Sequence, residues 1–125
     1  MTSQAFGKNL RLLNASDFQA VFDDPPFRAS HKHFLILARP NNLPYSRVGL
    51  VIAKKNIRLA VKRNLVKRMI RESFRTRQQN LGGIDAIVLA RRGMDQLEKI
   101  EIRTQLDKQW QRIAKKALIK PKAEL

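Results

Sequence analysis

The chain has 125 residues, 43% of them hydrophobic, and no cysteine. That length suits one compact domain, expected over residues 1–125, which buries roughly two-thirds of its unfolded surface. The missing thiols exclude disulfide frameworks, thiolate metal sites and cysteine nucleophiles, and they suit a reducing cytoplasm.

In chain order, Met1–Arg11 lacks the apolar stretch of a signal peptide. Ser16 reads as a helix N-cap, with Asp17 in the first turn and Gln19 at the capping-box position. Ala15, Phe18, Val21 and Phe22 follow at helical spacing, and Asp23-Asp24-Pro25-Pro26 ends the element. His33–Arg39 is expected as a strand closed by the turn Pro40-Asn41-Asn42-Leu43-Pro44. Arg47–Ala53 is expected as its hairpin partner. A long helix should run from about Arg58 to Gln79 and end at Gly82-Gly83. Asp85–Ala90 reads as a buried strand. Asp95 is expected to cap a last helix with a core stripe of Ile102, Leu106, Trp110 (or Gln109), Ile113 and Ala117. Residues 1–10 and 119–125 are expected to fray. The order α, β, β, α, β, α predicts an α+β sandwich, a small mixed central sheet packed by helices. Apolar runs such as Phe34–Ala38 and Ile84–Ala90 are too short to cross a bilayer.

Charge points to the partner. The chain carries 26 Lys and Arg against 10 Asp and Glu, a formal +16. Self-repulsion on that scale is tolerable mainly where a polyanion neutralises it, and nucleic acid gains from counterion release. An anionic membrane surface would ask for a basic amphipathic helix with large exposed apolar residues. Arg28–Arg77 alone holds 14 Lys and Arg and one acid, Glu72. At about 100° per residue, Asn64, Lys67, Arg68, Arg71 and Arg75 fall within an arc of roughly 100°. Leu59, Leu65, Val66, Met69, Ile70 and Phe74 take the opposite side. A solvated helix normally mixes signs so that i, i+4 pairs support it; this one offers a ladder that follows phosphates. Arg63 falls beside the apolar arc, near Ile70 and Phe74. It either points into the groove between helix and sheet or snorkels from a crowded edge.

Lys54 and Lys55 add cations at the end of the second strand. Phe18 and Phe22 share a helix face and are either core or a stacking platform for unpaired bases. His31 and His33 should share a face of an extended segment, but no carboxylate motif completes a catalytic or metal site around them.

Two blocks carry a family likeness: Arg47-Val-Gly-Leu-Val-Ile-Ala-Lys-Lys-Asn56 and Ala60-Val-Lys-Arg-Asn-Leu-Val-Lys-Arg-Met-Ile-Arg-Glu-Ser-Phe74. They resemble the bacterial ribonuclease P protein family, with proteobacterial spacing between Lys55 and Ala60. The likeness extends to Asp17–Phe22, Asp85–Arg91 and Trp110. It implies a left-handed β-α-β crossover, against the general right-handed rule. It implies contact with the catalytic RNA by Arg63, Asn64, Lys67, Arg68 and Arg71. It also implies a cleft between sheet and long helix for the single-stranded 5′ leader of precursor tRNA, with Phe18 and Phe22 in it and Lys54 and Lys55 near its path. The chemistry would belong to the RNA with bound Mg²⁺, so no catalytic residue or metal site is expected in the chain, nor a membrane or an obligate protein partner. Two positions depart from the family pattern: Leu65 stands where many members carry Arg, and Leu37 where an aromatic is expected. The main alternative is a structural RNA-binding protein such as a ribosomal protein, which would not stimulate 5′ maturation of tRNA.

Overall fold

A computed structural model describes residue 11, residues 14–77 and residues 81–123, with side chains to residue 117. The expectation of frayed ends at 1–10 and 119–125 lies largely outside those residues, although the last helix keeps its backbone form to Ala123. The elements are α1 (Ala15–Asp23), β1 (Phe27–His31), β2 (Phe34–Pro40), β3 (Arg47–Val51), α2 (Ala60–Arg77), β4 (Ile84–Ala90), a 3₁₀ turn (Met94–Gln96) and α3 (Lys99–Ala123). The α+β class with a mixed sheet holds.

Three local expectations change. The cap of α1 is Asn14, two residues before Ser16: its side chain accepts from Asp17 N–H at 2.9 Å and from Ser16 Oγ at 2.8 Å. Gln19 donates forward to Asp23 Oδ1 at 2.7 Å and so closes no capping box. Asp95 lies in the 3₁₀ turn, and α3 begins four residues later.

The sheet has one more strand than expected, and a different order. Phe27-Arg-Ala-Ser-His31 alternates buried and exposed, and pairs antiparallel with β2 through a turn at Lys32-His33. β3 is not the hairpin partner of β2. β4 inserts between them, giving the order β1-β2-β4-β3, antiparallel to β2 and parallel to β3. The reason is burial: Ile84-Asp-Ala-Ile-Val88 is buried throughout and needs neighbours on both edges. Register is pinned by charge. Arg47 pairs with Asp85 across the β3–β4 ladder, donating from Nε at 2.9 Å and Nη2 at 2.7 Å, while Asn41 Nδ2 donates to the same carboxylate at 2.9 Å.

Period-two alternation gives the sheet two different faces. Phe34, Ile36, Val48, Ala86 and Val88 meet Val66, Ile70 and Phe74 of α2 and Ile102, Leu106, Trp110 and Ile113 of α3 in the main core. Leu37 and Ile87 point the other way, beneath Val21 of α1. Thus α2 and α3 cover one face, and the short α1 covers part of the other.

Candidate nucleic-acid interface

The helix α2 is built as the periodicity requires. Val66, Ile70 and Phe74 are buried at 0–1% exposure, and Asn64 and Arg68 are exposed with Lys67 and Arg71 half-exposed. Leu59 departs from its expected apolar side. It precedes the first turn of the helix and is 60% exposed. Leu65 is half-buried.

The cations of α2 differ in how far they are committed. Among the described residues, the side chains of Asn64, Lys67 and Arg68 make no hydrogen bond or ion pair. Arg75 is already held: it donates to Glu72 Oε2 at 2.5 Å, which raises its own proton affinity and draws the Glu72 carboxyl below the usual carboxylate range. Arg63 takes neither of the two expected paths. Its Nη1 turns back to Ile57 O at 3.0 Å and Arg58 O at 2.8 Å, fastening the chain that leads into α2.

Arg71 carries the most telling electrostatics. Burial first, and then repulsion from Arg11, lower its proton affinity. The Arg11 backbone bridges Val48 in parallel, on the edge of β3. No sequence spacing signals that approach, because the two arginines are sixty positions apart. The two cations repel one another, and an anion bound at Arg71 would offset that repulsion.

Lys54 and Lys55 are exposed on the turn after β3. That turn is rigid. Asn56 Nδ2 donates to Ala90 O at 2.9 Å, and the amides of Asn56 and Ile57 both reach Ala53 O. The two lysines therefore project from the shared end of β3 and β4.

The phenylalanines do not lie between sheet and long helix, because α2 is packed flush on the opposite face. They belong to α1, on the sparsely covered face. Phe18 is half-buried, and its ring lies so close to Gly49 that a Cβ there would sit 2.6 Å from Cζ. Phe22, one turn on, is 39% exposed. Leu35, Val51 and Leu89 from three adjacent strands are only partly buried beside this cluster. Sequence reasoning missed those three, although apolar residues on both faces of β2 and β4 were the available signal. Leu37 is buried beneath α1 and offers no platform. The arrangement is an apolar trough with one exposed ring, suited to unpaired bases.

His31 closes β1 and His33 sits in the turn, so they do not share one extended run; their ring centroids are 5.7 Å apart. Among the described residues, no three His, Cys, Asp or Glu side chains are grouped to hold a metal, and no helix is long and apolar enough to cross a membrane.

Residues 6–114 match the family model described as Ribonuclease P. A Saccharophagus degradans protein named ribonuclease P protein component is 56% identical over 113 residues, 90% of this chain and 84% of that one. A Pseudomonas aeruginosa protein of the same name is 50% identical over the same shares. Among solved structures, a Staphylococcus aureus RNase P protein mutant with defective mRNA degradation activity aligns with TM-score 0.77 at 27% identity, covering 83% of this chain and 87% of that one. The Thermotoga maritima RNase P protein aligns with TM-score 0.65 at 28% identity, covering 78% and 96%.

Proposed function

The chain belongs to the Ribonuclease P family, and we propose that it acts as the protein subunit of a ribonuclease P holoenzyme, binding the catalytic RNA and the 5′ leader of precursor tRNA. The observation that carries this is the row Asn64, Lys67, Arg68 and Arg71, free of internal acids and backed by a flank that is sealed into the core. Each cation set on a phosphate releases condensed counterions, so the row supplies affinity without base specificity. Arg63 adds only what its guanidinium can offer beyond the two carbonyls it already holds, and Arg75 must share itself with Glu72.

On the other face, Phe18 and Phe22 with Leu35, Val51 and Leu89 form the trough for the leader, and Lys54 and Lys55 take its phosphates. The protein contributes positioning, lowering repulsion between two polyanions and favouring substrates that still carry a leader. Bond chemistry is assigned to the RNA. Mg²⁺ is assigned there too, because among the described residues no three His, Asp or Glu side chains are grouped to hold it.

Reversing Arg68 and Arg71 to Glu tests the reading. The variant should keep its circular dichroism and melting transition yet fail to assemble with a ribonuclease P RNA at physiological salt. Wild-type protein should stimulate 5′ maturation at low Mg²⁺, which a ribosomal RNA-binding protein would not do. Assembly retained by the double reversal would overturn the proposal.

A further inference from the structure

The flank of α2 that faces α3 holds a groove of about 380 Å³, lined by Arg68, Met69 and Glu72 of α2 and by Arg103 and Asp107 of α3. Ligand sites run from roughly 300 to 1,000 Å³, so the space suits a small group. The groove lies on the sheet face opposite Phe18 and Val21.

Two hydroxyls also line it, and both have spent their protons. Ser73 Oγ donates to Asp107 Oδ1 at 3.0 Å, and Thr76 Oγ1 donates to Ser73 O at 2.9 Å. Only their lone pairs remain to offer. Glu72 gives Oε2 to Arg75, and Asp107 Oδ1 takes Ser73 with Arg77 Nε at 3.8 Å. Glu72 Oε1 and Asp107 Oδ2 keep no partner among the described residues. The Arg75 hydrogen bond, then the charges of Arg75 and Arg103, hold the Glu72 carboxyl below its usual range, so it accepts and does not donate. These groups therefore ask for a donor.

The cations in the same groove ask for something else. Arg68 and Arg103 are exposed, and neither side chain makes a hydrogen bond or ion pair among the described residues. With Arg75 and Arg77 they outnumber the two acids. A basic peptide would meet that surplus of positive charge, and a free phosphate would find no amine or hydroxyl proton on Ser73 or Thr76 to receive it. A nucleotide carries both required parts, an anionic phosphate and, on adenine, cytosine and guanine, an exocyclic amine. Uracil has no amine, and the carbonyls beside its ring N–H would face carboxylates. Guanidinium planes also stack on unpaired RNA bases.

We propose that the α2–α3 groove receives one unpaired nucleotide of the catalytic RNA, an adenosine, cytidine or guanosine, with its phosphate on Arg68, its base against Met69 and Arg103, and its amine on Glu72 or Asp107. The site rests on the RNA-binding function proposed above and adds base selectivity to a row that otherwise reads only phosphates. The source is the catalytic RNA because Arg68 belongs to that row, whereas the trough for the leader lies across the sheet.

The chain has no cysteine, so Thr76→Cys places a photo-crosslinker at a single position in the assembled holoenzyme. The crosslink should map to an unpaired adenosine, cytidine or guanosine of the catalytic RNA. Changing that nucleotide to uridine should weaken assembly with wild-type protein about tenfold, as one good base contact gives. Thr76→Trp fills the groove with an indole, and Arg103→Ala removes one wall without touching the core. Both should keep the wild-type melting transition and bind the two RNAs nearly alike. A crosslink only to paired nucleotides, to uridine or to the leader would overturn the site, as would no crosslink. So would a uridine penalty that Arg103→Ala leaves at its full size. The Arg68→Glu/Arg71→Glu protein runs alongside: its loss of assembly without the expected crosslink sinks this site alone, whereas its retained assembly sinks the RNA-binding reading itself.

Discussion

Replacing Gly49 with alanine should push the Phe18 ring out of its place on the sheet. The new Cβ would stand 2.6, 2.9 and 3.2 Å from Cζ, Cε2 and Cε1, against about 3.5–4.0 Å for relaxed carbon contacts. The ring must therefore retreat by about 1 Å, and overpacking of this kind costs roughly 1–3 kcal/mol. Removing a strand glycine returns about 0.5–1 kcal/mol, so the net loss should lie near 1–2 kcal/mol. The coupling to Phe18 is the sharper quantity. Phe18→Ala removes the clash, so the double variant should be more stable than the sum of single effects by about 1–2 kcal/mol. Urea midpoints of the four proteins at constant m-value measure it. The Gly49→Ala protein should also lose preference for precursor over mature tRNA while assembling normally with the catalytic RNA. Additivity within about 0.5 kcal/mol would show that the ring does not occupy the space over Gly49 and would refute the reasoning.

Arg68→Ala and Arg71→Ala should each lower the log–log salt slope of RNA binding by about 1. Arg75→Ala should lower it less, because Glu72 already holds that guanidinium; equal losses at all three positions would contradict the assigned partners. Asp85→Ala should cost roughly 3 kcal/mol, the low end for a buried pair, since the Arg47 side chain is left 21% exposed. A thermal or urea measurement giving under about 1 kcal/mol would make that pair no better than a surface one. Trp110 is fully buried, and its indole N–H meets no hydrogen-bond partner among the described residues. Trp110→Phe sheds that unsatisfied donor and should cost about 1–2 kcal/mol, against about 3–5 for Trp110→Ala. Near-equal losses in the two variants would show that the donor is satisfied in solution.

The amphipathic pattern of α2 was legible because a helix face depends only on residues within the same element. The stripe Ile102, Leu106, Trp110 and Ile113 was readable for the same reason. β1 escaped notice because Arg28, Ser30 and His31 have little strand character alone, and the strand forms only by pairing with β2. The hairpin expected between β2 and β3 failed because nearest-neighbour pairing in the chain lost to the need of β4 for two buried edges. Arg63 points away from its helical-wheel position because two carbonyls before the helix, Ile57 and Arg58, lie within reach.

Composition, periodicity and the two motif blocks thus determined that this is an α+β polyanion binder with a cationic helix, since charge excess and one-face patterning are properties of the chain itself. Only the tertiary structure decided which face of the sheet Phe18 and Phe22 occupy, that Arg11 comes to stand beside Arg71, and that the turn carrying His31 and His33 docks on Arg91 just after β4. These depend on contacts between residues thirty to sixty positions apart, and such contacts are set by burial and strand order, which no local pattern encodes.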